Sequence, residues 1–274
     1  MTTDPKFPLD PAEAATRLLC EDVAPVEVPD PAAGLSGLLA RVGRSVAAHA
    51  GMTTVRARQD RWQKVISGVR KKLLWDGPEG SSVLLQLDPG VRLPVHRHAW
   101  LEEGICLAGG LQLGDLELGP GDYHVSPPGS RHGHITSCPK RGALAYLRGT
   151  SLGHAGKLLG ELVGGLWPGE GPAQRTVFLR EGSWEKLADG VDTRILWLED
   201  GVVSRYVRLR PGASLPAHDH AVAEECMMIE GEAFFGDILV QAGDFHLAPA
   251  GTRHGAVVSE GGALLFVRGA AEAL

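Results

Sequence analysis

Short apolar stretches broken by Gly, Pro and Asp recur along most of the chain: "SSVLLQLDPG", "EEGICLAGG", "LQLGDLELGPGDYHV" and "ALAYLRG". Runs this brief, bounded by turn residues, predict strands. Strands at such close spacing predict a sandwich or barrel. Two segments carry a longer period. "GLLARVGRSV" and "GKLLGELVGGL" space their apolar residues roughly as one helical face requires, and predict short helices.

The pattern is written twice, with an offset of 122 residues. Trp62 matches Trp184, Trp75 matches Trp197, and Pro89-Gly90 matches Pro211-Gly212. "LPVHRHAWLEE" (93–103) returns as "LPAHDHAVAEE" (215–225), and "GDYHVSPPGSRHG" (121–133) as "GDFHLAPAGTRHG" (243–255). Upstream, "TVRARQDRW" (54–62) matches "TVFLREGSW" (176–184). Self-similarity over this length means internal duplication. The expected organisation is an arm over 1–33, then two copies over 34–150 and 151–274, each a helix leading a β unit. Two like β units are expected to pack as a pseudo-dimer, which hides sheet edges and apolar faces.

Composition narrows the function. Across 274 residues, 43% are hydrophobic, enough for a sizeable core, and the net charge of −6 argues against general nucleic-acid binding. No apolar run approaches the ~18 residues of a membrane span, and the acidic, proline-broken start lacks a signal-peptide core. Cys20, Cys106, Cys138 and Cys226 form no CxxC pair. A cytoplasmic protein with reduced thiols is the expectation. Phosphate loops, GxSxG elbows and HExxH helices are absent from the sequence.

The chemistry gathers where the repeat is strictest. His96 and His98 alternate onto one face of a strand, Glu102 follows after a short step, and His132 comes from the turn "PPGSRH". The second copy repeats the set as His218, His220, Glu224 and His254, with the same 36-residue gap between first and last His. Neutral nitrogens with one carboxylate suit a divalent transition metal and leave positions open for water or substrate. Up to two ions per chain are expected, iron or zinc first, with manganese and nickel also compatible.

These residues resemble the two cupin motifs. "GVRLPVHRHAWLEEGICLAGG" is similar to G-x5-HxH-x3-E-x6-G, and "GDYHVSPPGSRH" to G-x5-PxG-x2-H. The second copy satisfies both, and the flanking "W…GV…LW" is similar to ChrR-type cupins. The resemblance implies an all-β fold of two tandem jelly-roll barrels, a bicupin with short flanking helices, and a metal near each barrel centre.

Other residues are candidates for the surroundings of the metals. His124 and His246 occupy matching places and face either the cavity or the sheet's other side. His134, two after His132, is expected to share its face, where the second copy has Ala256. Strand parity turns Cys106 and Cys226 inward with Glu102 and Glu224, either as buried apolar residues or as redox-sensitive thiols. Trp100 either walls the first site or packs elsewhere.

The resemblance implies two kinds of activity. One is a non-haem iron(II) dioxygenase acting on a small dicarbonyl or hydroxyketone, whose partner is that small molecule. The other is an anti-sigma regulator or sensor that binds zinc and a sigma factor without catalysis. The regulators' N-terminal HxxxCxxC motif is missing here, since Cys20 and His49 stand alone, so the expectation leans to the enzyme. A homodimer is compatible with either. No nucleic-acid or membrane partner is expected.

Overall fold

The computed structural model describes residues 31–271, so the expected arm lies, up to residue 30, outside the described residues. The first helix, α1, spans Pro31–Ala48. The chain divides into a compact unit ending at Ala47 and a second unit from Ala48 onward that holds both copies. Among the described residues no helix is long and apolar enough to cross a membrane.

Each copy is a jelly-roll barrel. In the first, strands Gln63–Ile66, Val69–Gly77, Gly80–Leu87, Ala143–Thr150, Glu102–Gly109 and Tyr123–Ser126 pair in that spatial order. A smaller sheet of Arg92–Leu93, Ile135–Ser137, Leu111–Leu113 and Leu116–Leu118 completes it. The second copy repeats the large sheet with Glu185–Ala188, Val191–Glu199, Val202–Leu209, Ala263–Ala270, Glu224–Phe235 and Phe245–Ala248.

Alternation explains why Gly80–Leu87 is buried on both faces. Leu85 and Leu87 point into the first barrel, while Leu84 points into a core shared by the two barrels. That shared core stacks Tyr123 and Tyr146 of one copy against Phe245 and Phe266 of the other, with centroids 5.6–6.3 Å apart. The final glycine of each first motif is required by the backbone. Gly109 (φ 75°) and Gly231 (φ 73°) sit where a Cβ would come within 2.1 and 2.0 Å of a carbonyl oxygen.

The copies exchange edge strands. Thr53–Val55, ahead of the first barrel, pairs with Phe245–Ala248 of the second. Arg175–Val177, ahead of the second, pairs with Tyr123–Ser126 of the first. Each exchange covers an edge that would otherwise offer unpaired backbone groups.

A buried polar network follows the same pseudo-symmetry. Arg148 of the first copy reaches Glu225 of the second at 3.1 Å, and Arg268 of the second reaches Glu103 of the first at 3.3 Å. Tyr123 donates to Glu103 at 2.6 Å, and Tyr146 to Glu225 at 3.2 Å.

The second helix, α2 (Ala155–Gly164), precedes the second copy in sequence but packs on the first barrel beside His96–Arg97. Arg97 and Arg131 tie it there by donating to the carbonyls of Gly164 (3.3 Å) and Gly165 (2.9 Å).

Candidate metal centres

In the second barrel, His218, His220, Glu224 and His254 each offer one ligand atom within 4.8 Å of the others. Short strands His218–Asp219 and Arg253–His254 pair antiparallel and bring His218 directly opposite His254. Glu224, the first residue of the long strand Glu224–Phe235, lies 3.6 Å from His218, 3.7 Å from His220 and 3.3 Å from His254. Neighbouring oxygens hold two of the rings at Nδ1. His218 Nδ1 lies 3.2 Å from the Pro216 carbonyl, and His220 Nδ1 3.0 Å from the Thr252 hydroxyl. Nε2 of both is buried without a hydrogen-bond partner among the described residues. Histidines held at one nitrogen and bare at the other are what a metal requires.

Burial alone would raise Glu224, but the close imidazoles of His218 and His254 outweigh it and hold the carboxyl well below the ordinary range. The nearby Glu224 carboxylate in turn raises His218. This carboxylate is ionised and centred among its ligand partners.

The first barrel differs. His96, His98 and Glu102 form the corresponding cluster, and His132 is outside it. The His132 ring lies close, 4.9 Å from His98 and 5.4 Å from His96 by centroids. Its nitrogens are engaged instead, Nε2 with the Ser126 hydroxyl at 3.0 Å and Nδ1 with the Gln174 amide at 3.4 Å. The second barrel has Ala248 in place of Ser126, so no hydroxyl takes Nε2 of His254 there; it lies 3.3 Å from Glu224, with Nδ1 3.1 Å from the Gly255 carbonyl. His96 Nδ1 faces the Pro94 carbonyl at 3.0 Å, and both nitrogens of His98 are buried without a partner. Burial, then the neighbouring Glu161, pushes Glu102 up to about 8. Burial also pushes His98 down to about 3 and His132 to about 2, so both rings are neutral. The orphaned nitrogens and the carboxylate together fit a divalent ion in both barrels.

The surrounding space separates the sites more sharply. Beside His96 and Glu102 lies a cavity of about 160 Å3, walled by Val65, Val69, Leu85, Leu87, Leu93 and further apolar side chains. Adjoining it, a space of about 50 Å3 reaches His124, Ser126 and His132. The second barrel retains only about 20 Å3 beside His218 and Glu224. Larger residues fill it: Cys226 stands where the first copy has Gly104, Phe235 where it has Leu113, and Leu265 where it has Ala145.

Both candidate outer histidines face inward. His124 lines the smaller space, 5.1 Å from the His132 ring, and His246 is fully buried, 6.2 Å from His254. In each, Nε2 is buried without a partner. Cys106 and Cys226 also line the interiors as buried free thiols. Burial pushes Cys106 up to about 11 and raises Cys226 as well, which opposes the redox-thiol alternative. Cys20 lies outside the described residues.

One expectation needs correction, and one open alternative is decided. His134 is exposed and bonds the Leu93 carbonyl at 3.1 Å, away from the site. The strand Arg131–His132 ends before it and the next begins at Ile135, so the turn breaks the alternation. Trp100 does not line the cavity. It packs 5.5 Å from His154, under Lys157 of α2.

Four contributors were not read from the sequence. Glu161 on α2 lines the large cavity. Gln174 reaches His132 from the segment ahead of the second barrel. Thr176 and Thr54, on the exchanged strands, hold His124 and His246. The matched segments 54–62 and 176–184 carried a signal for the threonines, since both copies place Thr at the same position.

Residues 50–151 and 172–271 match the model of the ChrR cupin-like domain. Among solved structures, the chain is similar to a candidate dioxygenase from Nostoc punctiforme, at 16% identity over 81% of this chain and 86% of that chain, TM-score 0.59. It is similar to an oxalate decarboxylase mutant from Bacillus subtilis, at 18% identity over 79% and 76%, TM-score 0.56. A third is oxalate decarboxylase from Lactobacillus farciminis in complex with formate, at 15% identity over 79% and 86%, TM-score 0.57. The Bacillus subtilis enzyme has Mn(II) centres. No curated protein matches. Likeness at these identities shows the fold.

Proposed function

The chain belongs to the ChrR cupin-like family, and on that premise we propose that it is a metal-dependent dioxygenase whose reaction takes place in the first barrel. The substrate class is a small dicarbonyl or hydroxyketone. The observation that carries this reading is the apolar cavity of about 160 Å3 opening directly beside His96 and Glu102. A cavity water needs ~10–15 Å3 of such space, so there is room for a small organic molecule against the ligand cluster.

Iron(II), when bound, would supply a centre that accepts both a chelating substrate and O₂. His96, His98 and Glu102 would hold it as two histidines and one carboxylate, a set that suits non-haem iron oxygenases. The protein's own part is orientation and exclusion of water. The leucines and valines of the wall take the substrate's apolar portion, and α2 closes the cavity with Leu158 and Leu162. Such a lining disfavours a small dianion such as oxalate, which would lose its hydration without polar replacement. The second barrel, filled by Phe235, Cys226 and Leu265, would hold its ion for structure.

One feature favours the regulator as a second reading. α1 exposes Leu35, Leu38, Val42 and Val46 at helical spacing, a surface suited to a partner protein such as a sigma factor, with zinc in the barrels.

Oxygen-electrode measurement on iron(II)-loaded protein separates the two. Substrate-dependent O₂ uptake with a 1,3-dicarbonyl or 2-hydroxyketone is the expected result. No uptake across the carbonyl panel, with stoichiometric capture of a sigma factor from native extract, would establish the regulator instead.

A further inference from the structure

We propose that Glu161 is a catalytic residue of the first barrel, the base that receives the proton a dicarbonyl or hydroxyketone sheds on binding as an enolate. This rests on the reading of the first barrel as the reacting one.

Glu161 lies on α2, in the stretch between the two segments that match the family. On α2, Leu158, Glu161 and Leu162 share the face that lines the large cavity. Two of these are what an apolar wall requires; the third carries a carboxyl group, only 6% exposed.

The carboxylate is held at one oxygen. Oε1 accepts from the Ala99 backbone N–H at 2.9 Å and from the Ser151 hydroxyl at 2.7 Å. No described residue donates to Oε2. Tethering through Oε1 fixes the side chain against the loop between His98 and Glu102, and leaves Oε2 for what enters the cavity. Glu102 and His96 line the same cavity, so a molecule bridging the ligand cluster and the helix meets both carboxylates.

Charge counting gives this second carboxylate its role. A divalent ion with Glu102 leaves one positive charge, which the carboxylate of Glu161 would offset. A neutral diketone then enters at no net charge. Its acidic C–H bond breaks, the electron pair stays on the substrate as the enolate, and the proton bonds to Oε2 of Glu161. The chamber is neutral before and after, which a low-dielectric wall demands. With no base in the cavity, the proton would have to leave for bulk water.

The test uses full-length protein loaded with zinc(II), and pentane-2,4-dione as probe. Enolate formation is followed by ultraviolet absorbance, and proton release by calorimetry in buffers of different ionisation enthalpy. Wild type is expected to form the enolate and release almost no proton. Glu161→Gln, which keeps an acceptor for Ala99 and Ser151, is expected to form it ~10²–10⁴-fold more slowly and to release the proton to buffer. Ser151→Ala, which keeps the carboxylate, should match wild type in proton count, and metal content should be equal in all three. Equal rates and proton release in wild type and Glu161→Gln would overturn the role of Glu161 alone. Absence of enolate in wild type would overturn the reading of the first barrel, and this inference with it.

Discussion

The hydroxyl of Thr176 lies 2.8 Å from Nδ1 of His124, and the two residues come from different halves of the chain. Strand exchange makes the pairing, since Thr176 stands opposite His124 in the register of Arg175–Val177 against Tyr123–Ser126. Thr54 repeats it on His246 at 2.9 Å. Each barrel therefore completes its inward-facing histidine with a residue of the other. Thr176→Val and Thr54→Val should each leave a buried imidazole nitrogen unbonded, at a cost of ~1–3 kcal/mol. Thr176→Ser should recover most of the loss. Chemical denaturation decides it; a Val variant as stable as wild type would mean the contact fixes nothing.

The clusters predict unequal responses to loss of the last histidine. His254 sits within its cluster, 3.3 Å from Glu224, so His254→Ala should empty the second site. His132 is held by Ser126 and Gln174, so His132→Ala should weaken metal binding at the first site only on the scale of outer-shell changes, ~10–100-fold. Ser126→Ala frees the ring and should tighten that site. Metal content after graded chelation reads both sites; equal losses from the two His variants would show that His132 ligates as His254 does.

Much of this was legible in the sequence, for physical reasons. The candidate ligand positions were marked twice, once by spacing and once by repetition, and all but His132 fall in the two clusters; the turn glycines Gly109 and Gly231 marked where backbones meet. What could not be read depends on long-range placement. Nothing in "GKLLGELVGGL" states that this helix docks on the barrel before it, so Glu161 carried no signal of its place beside the cluster. The exchange of Thr53–Val55 and Arg175–Val177 is equally silent, because a strand's pattern does not name its partner. His134 failed on a local assumption, since period-two alternation lapses at the turn through Gly133. Ser126 and Ala248 differ by one hydroxyl, and that difference has meaning only once His132 is seen beside it.

The buried ion pairs between barrels predict a large asymmetry. Arg148→Met would strand Glu225, which is 2% exposed, and should cost ~3–5 kcal/mol. Replacing Glu225 by Leu in the same chain should recover much of that loss, because a matched apolar pair needs no desolvated charge. Glu79 also contacts Arg148, at 2.8 Å, but its side chain is 63% exposed, so Glu79→Ala should cost less than ~1 kcal/mol. Urea denaturation of the three variants orders them; similar losses from Glu79→Ala and Arg148→Met would contradict the burial argument.

Protonation predicts where the metal-free protein is most stable. Burial pushes His98 to about 3, His132 to about 2, and His124 and His246 to about 4, against ~6.5 in the unfolded chain. Below pH ~6.5 the unfolded chain therefore binds protons that the folded chain refuses, and stability falls as pH falls. Glu224, held low, adds to that acid loss below the ordinary carboxylate range. Glu102 works in the opposite direction. Burial and then Glu161 raise it to about 8, so between pH ~4.5 and 8 the folded chain keeps a proton that the unfolded chain has lost. Its contribution fades as pH rises through that window, and so does that of His218, raised by the nearby Glu224 carboxylate. Between pH ~4.5 and 6.5 these four histidines, with His220 also lowered by burial, outweigh Glu102 and His218; from ~6.5 to 8 the latter two dominate. The melting temperature in chelator should accordingly peak near pH ~6.5 and decline on both sides. Glu102→Gln should flatten the alkaline decline, and saturating zinc should do the same by holding that carboxyl deprotonated in the folded state. A chelated wild type whose melting temperature still climbs between pH 7 and 8 would mean that Glu102 is already ionised in the folded, metal-free barrel.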